Sequence, residues 1–174
     1  MEKIKNTKIA FLIAPHDFRD EEYFQPKVIL QSRGIEVDTV AKGNPEEVTG
    51  SQGGKAHTDA AFEDVKPENY DGIVIVGGPG VKDYFDDKQV HQTVREFMNK
   101  NKVIGAICSG PRVLANAGIL NSTKVTSFIK DREAIEERGI VWVSQPVVVD
   151  GLVVTAQGPD EAIEFGEKIV SILG

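Results

Sequence analysis

Apolar runs rich in β-branched residues alternate along this chain with stretches whose apolar positions recur at helical spacing. Residues 8–14, 35–41, 72–76, 103–107 and 124–128 read as strands, and their near-continuous hydrophobicity suits a sheet covered on both faces. Helical spacing runs through residues 24–33, 90–100, 110–117, 132–138 and 160–173, and Gly34, Gly118 and Gly139 follow three of these as left-handed stops. The alternation predicts βαβ units joined by right-handed crossovers, hence a mostly parallel sheet with helices on both faces. Residues 140–143, 147–149 and 152–155 break the alternation. Asp150-Gly151 is a tight-turn signal between the last two, so an added C-terminal hairpin is expected. Residues 43–58 read as a surface excursion able to form a small hairpin. With no repeat, low-complexity tract or linker, residues 1–174 read as a single α/β domain.

Charge and composition narrow the function classes. A formal net charge of -7 opposes binding to phosphate backbones and anionic membrane surfaces, so neither nucleic acid nor membrane is an expected partner. No segment approaches the roughly 20 apolar residues of a membrane span, and the opening MEKIKNTKIAFLIAP lacks the long apolar region and small-residue cleavage site of a secretory leader. One cysteine cannot form an intrachain disulfide, and a free thiol is easiest to keep in a reducing compartment; a cytoplasmic protein is the expectation.

In open α/β sheets, ligands bind beyond the carboxyl ends of the strands, which directs attention to PHDFRDEEYFQP, GGPG and CSGPR. Ala106-Ile107-Cys108-Ser109-Gly110 has the small-x-nucleophile-x-Gly form of a sharp strand-to-helix turn, with Cys108 in the nucleophile's place. The N–H groups of the helix end are expected to lower the thiol pKa. A buried structural cysteine is the alternative, which the glycine and proline behind it fit poorly.

Gly77 and Gly78 could turn backbone N–H groups toward the same crevice and, with the Ser109 N–H, form an oxyanion hole; a plain Gly-Pro turn is the alternative for the run taken alone, and the presence of Cys108 favours the oxyanion hole. Asp17, Asp20, Glu21 and Glu22 favour a helix start whatever else they do. With Pro26 four residues on, Glu22 can face the crevice, and if buried it would be protonated and hydrogen-bond the Cys108 sulfur. His16 follows the first strand and could reach the site, whereas His57 and His91 read as surface residues. No cysteine and histidine spacing marks a metal site, and no cofactor is expected.

KIAFLIA, the Glu22-x3-Pro26 step, IVIVGGPG, GAICSGPRVLANAGIL and the GIVWVSQPVVVDGLVVTAQGP tail occur in an order that resembles the ThiJ/PfpI superfamily, from Lys8 to about Leu173. The resemblance implies a flavodoxin-like three-layer sandwich akin to class I glutamine amidotransferases, and a homodimer or higher oligomer. It also implies Cys108 paired with a protonated Glu22, and Gly78 and Ser109 as oxyanion donors. Ser109 stands where the peptidase-like branch carries histidine, Phe128 where the deglycase branch carries histidine, and Gln157 where that branch often has arginine. The leading expectation is therefore a cysteine-dependent enzyme acting on small reactive carbonyls, glyoxalase- or deglycase-like. Peptide or amide hydrolysis is the runner-up. A non-catalytic redox sensor or chaperone is the third reading, and Ser109 also admits a hydratase-like branch.

Overall fold

The computed structural model describes residue 4 and residues 6–174; residues 1–3 and 5, at the head of the stretch read for a leader, lie outside them. Alternate side chains of a strand face opposite sides of its sheet, and β1 (Lys8–Ile13) sorts accordingly. Ile9, Phe11 and Ile13 enter one buried cluster, and Ala10 and Leu12 enter the other. After β1 come α1 (Asp20–Ser32), β2 (Glu36–Ala41), the hairpin of β3 (Glu47–Thr49) and β4 (Lys55–His57), β5 (Gly72–Ile75) and α2 (Lys88–Asn99). The second half holds β6 (Val103–Ile107), α3 (Gly110–Asn116), β7 (Lys124–Val125), α4 (Arg132–Glu136), β8 (Val141–Trp142), β9 (Val147–Asp150), β10 (Val153–Ala156) and α5 (Ala162–Leu173).

Six strands form the main sheet in the order β2-β1-β5-β6-β10-β9. Every pairing in it is parallel except β9 with β10, the C-terminal hairpin expected from Asp150-Gly151. One face packs Tyr23 and Leu30 of α1 with Phe165 and Ile169 of α5; the other packs Val90, Val94 and Phe97 of α2 with Val113 and Leu114 of α3. Each such side chain contributes about 1.5–3 kcal/mol on burial. This is the flavodoxin-like sandwich. Its crevice opens where the connections from β1 and β5 leave in opposite directions, beyond the carboxyl ends of the strands. Among the described residues no helix is long and apolar enough to cross a membrane.

Two elements differ from the sequence reading. The strand expected over residues 124–128 is only Lys124–Val125, paired with β8 outside the main sheet. Its continuation is diverted: the Thr126 N–H donates to the Thr155 hydroxyl (3.0 Å) and the Phe128 N–H to the Cys108 carbonyl (2.7 Å). Helix α1 begins at Asp20 rather than Phe24, because Asp20, Glu21 and Glu22 suit a first turn. Pro26 therefore lies inside the helix and has no N–H to return to the Glu22 carbonyl.

Candidate active site

Three loops meet beyond the ends of β1, β5 and β6, and backbone hydrogen bonds lace them together. Arg19 N–H donates to the Gly77 carbonyl (3.0 Å), Gly80 N–H to that of Asp17 (3.1 Å), and Cys108 N–H to that of Ala156 (2.9 Å). The Tyr84 hydroxyl donates to the Ile13 carbonyl (2.8 Å), fixing the segment behind Gly78 against the end of β1.

Cys108 leaves β6 with φ of +60°, in the left-handed region that L side chains avoid. The sharp reversal puts Gly110 so close to the neighbouring strand that a Cβ there would lie 2.7 Å from the Ile75 carbonyl oxygen. A left-handed residue with a Cβ costs about 1–2 kcal/mol. Cys108→Gly should accordingly be more stable than Cys108→Ala by about 1 kcal/mol in urea denaturation. Equal midpoints for the two variants would show that the turn carries no strain.

Glu22 is completely buried, and neither carboxyl oxygen has a hydrogen-bond partner of normal geometry. It packs on Gly77: a Cβ added to that glycine would collide with Glu22 Oε2, lying also 2.6 Å from Cys108 Cβ and 2.6 Å from the Ile107 carbonyl. Only a residue without a side chain lets the acid and the thiol meet there. Burial pushes the Glu22 pKa up to about 8, against the smaller downward pulls of the Cys108 thiol, the Arg19 charge and the Gly77 N–H. At neutral pH the carboxyl is protonated, as the sequence led one to expect of a buried glutamate.

The thiol itself behaves otherwise. Burial, then the charge of Glu22, push the Cys108 pKa up to about 12. The N–H groups of Gly78 and Ser109 pull it down, the sign expected of a helix end, but they lose to desolvation. The expectation of an acidified thiol is thereby corrected. A sulfur half-covered by protein and beside a carboxyl is held above the ordinary thiol range.

The Ser109 hydroxyl donates to Asp131 Oδ2 (2.6 Å), and Arg112 Nη1 donates to Asp131 Oδ1 (3.1 Å) while its guanidinium lies 4.6 Å from the centre of the Phe85 ring. Asp131 is buried. This triad fixes the residue after the cysteine; sequence reasoning missed Asp131 because it lies 22 residues beyond Ser109, and with it the role of Arg112, which stands within CSGPR. His16 and Asp17 are exposed: His16 Nδ1 meets Asp17 Oδ2 (3.1 Å) and Nε2 meets Asp83 Oδ2 (2.8 Å). Both ring nitrogens are thus spent on carboxylates, which raise the His16 pKa. Phe128 gives its N–H to the Cys108 carbonyl, and Gln157 gives its own to Pro146. Arg19, also missed, sits at the turn with its charge acting on both Glu22 and Cys108. A lone arginine inside the acidic run HDFRDEE was the available signal.

Comparison with known proteins places these features in a group. The model of the DJ-1/PfpI family matches residues 7–172. An uncharacterized protein of Methanocaldococcus jannaschii is 44% identical over 99% of this chain and 85% of its own length. The protein named deglycase PfpI of Pyrococcus furiosus is 31% identical over 95% of this chain and 99% of its own. Among solved structures, the ThiJ/PfpI domain protein of Brachyspira murdochii superposes with a TM-score of 0.92 at 29% identity, covering 99% of this chain and 98% of that one. DJ-1 of Schizosaccharomyces pombe does so with a TM-score of 0.87 at 27% identity, covering 97% and 92%.

Proposed function

The chain belongs to the DJ-1/PfpI family, and from that premise we propose that it is an enzyme whose Cys108 sulfur adds to small reactive carbonyls such as 2-oxoaldehydes. The observation that carries the reading is the meeting of Cys108 with a buried, protonated Glu22 across Gly77. A buried acid with two oxygens and one proton, set beside the thiol, is suited to relay a proton. As the S–C bond forms, Glu22 gives its proton to the developing alkoxide and takes the thiol proton on its other oxygen. The Gly78 and Ser109 N–H groups, which already act on the sulfur, stabilise the negative oxygen while it lasts. No thiolate has to accumulate beforehand, which suits a thiol that burial holds protonated.

For a 2-oxoaldehyde the adduct is a hemithioacetal. Moving its C–H proton to the neighbouring carbonyl carbon gives a thioester, and water then breaks the C–S bond to release a 2-hydroxy acid and the free thiol. The sum is aldehyde plus water to hydroxy acid, with no external oxidant. The alternatives have weaker support here. Amide hydrolysis needs an acid for the leaving amine, and His16 is engaged by two carboxylates. A redox sensor needs a thiolate-rich sulfur, whereas burial and Glu22 work against one.

The test is D-lactate formation from methylglyoxal by purified protein. Wild type should turn over at least about a hundredfold faster than Cys108→Ala, and equal rates for the two would reject the proposal.

A further inference from the structure

Arg19 immediately precedes α1, and its N–H bond to Gly77 holds it at the turn that also carries Gly78. Those two glycines are pressed from opposite sides. Glu22 and Cys108 crowd Gly77, while the backbone of Asp17, Phe18 and Arg19 crowds Gly78. The Arg19 backbone is thus pinned at the turn where acid, thiol and oxyanion donors converge, and its side chain is 35% exposed. Its Nε donates to Glu21 Oε2 (2.7 Å), and its Nη nitrogens make no hydrogen bond to a side chain among the described residues.

A guanidinium offers a planar fork to a carboxylate, and here Glu21 occupies only Nε and leaves the Nη pair to another acceptor. The surroundings make a solvated accident a poor account of the residue. The chain carries a net charge of -7, and Asp17, Asp20 and Glu21 flank Arg19 in the sequence, so the local field repels anions unless a cation is set against it. The Arg19 N–H bonds the carbonyl of Gly77, the residue packed on Cys108 Cβ, so the arginine is anchored beside the sulfur, and its positive charge acts on both Glu22 and Cys108. Glu21, itself 37% exposed, holds Arg19 in an ion pair that an incoming carboxylate can exchange at little cost.

We propose that Arg19 binds a carboxylate on the substrate, so that the site favours anionic 2-oxoaldehydes or related carbonyl acids over neutral ones. This rests on the reading of Cys108 as the group that attacks the carbonyl. The recognition half can be tested without turnover, by comparing two alkylating agents of nearly equal size that differ in charge.

At pH 7, below the Glu22 pKa of about 8, the rate constants of Cys108 alkylation by iodoacetate and by iodoacetamide are measured by mass spectrometry. Their ratio cancels any change in thiolate fraction. Arg19→Gln should lower the iodoacetate to iodoacetamide ratio by about five- to tenfold, the effect of one unit charge at such range in a partly exposed site. Arg19→Lys should retain most of it, and Glu21→Gln, which frees the guanidinium, should raise it. A ratio the same in wild type and Arg19→Gln, with both proteins folded by circular dichroism, overturns the proposal.

A parallel arm compares kcat/KM for 4,5-dioxopentanoate, a 2-oxoaldehyde bearing a carboxylate, with that for methylglyoxal. The preference for the former should fall in Arg19→Gln by a similar factor. If the alkylation ratio falls while neither aldehyde is turned over by wild type, the anion site stands and the carbonyl reading fails.

Discussion

In Glu22→Gln, most of the stability that the wild type loses between pH 5 and pH 8 should no longer be lost. The carboxyl titrates near 4.5 in an unfolded chain and at about 8 in the native protein, where burial is the main cause. Between those values the native state holds a proton that the unfolded state has released, so unfolding becomes easier as pH rises. The stabilising contribution is complete below about pH 4.5, falls by about 1.4 kcal/mol per pH unit, and is gone above the native pKa. The total for this group is on the order of 5 kcal/mol.

Other groups titrate over the same range, so the quantity to measure is the difference between wild type and variant. Urea denaturation at pH 5, 6.5, 8 and 9 supplies it. The difference should move in favour of Glu22→Gln as pH rises and level off above pH 8. Curves that stay parallel would mean that the acid ionises freely where it sits, and the relay drawn for it would fail as well. With the relay intact in the wild type, the same substitution should lower methylglyoxal turnover by about 10²- to 10³-fold.

The Glu22 prediction turns on burial, and burial marks the line between what the sequence discloses and what it does not. The sorting of Ile9, Phe11 and Ile13 from Ala10 and Leu12 is a local property of a two-residue period, and the parallel sheet follows from its repetition with helices between. The elbow was legible for the same reason: Cys108 and Gly110 are two residues apart, and the steric demand that links them is local. The sign of the thiol shift was not legible, because it depends on how much protein covers the sulfur and on a carboxyl far away in the chain. Asp131 escaped for a related reason, since its tie to Ser109 runs through α4's entry and not through the elbow. Strand β7 was read too long because Val125 and Phe128 are good strand residues, and only tertiary bonds to Thr155 and Cys108 draw the chain off the ladder.

Gly78→Ala should damage both the stability of the site and its chemistry. Gly78 has φ of +110°, and a Cβ on it would collide with the Arg19 nitrogen and lie 2.7 Å from the Asp17 carbonyl oxygen and 2.8 Å from the Phe18 carbonyl carbon. All three are backbone atoms, so no rotamer change relieves the overlap; the loop after β1 has to move. That loop runs directly into α1, which carries Glu22, and the displaced turn carries the N–H that acts on the sulfur.

Two costs follow. Loss of one oxyanion donor lowers turnover by about 10²- to 10³-fold, and strain in the turn lowers stability by about 2–3 kcal/mol, more than the left-handed backbone alone would. Gly118→Ala is the control, because Gly118 also has a positive φ, +77°, but a Cβ there meets nothing within 4 Å. It should lose about 1 kcal/mol of stability and keep wild-type turnover per folded molecule. If Gly78→Ala behaved like Gly118→Ala in both assays, the contact between the loop after β1 and the glycine turn would be too loose to align acid, thiol and oxyanion donors. The chemistry proposed for Cys108 would then lack the close fit that alone lets a protonated thiol react.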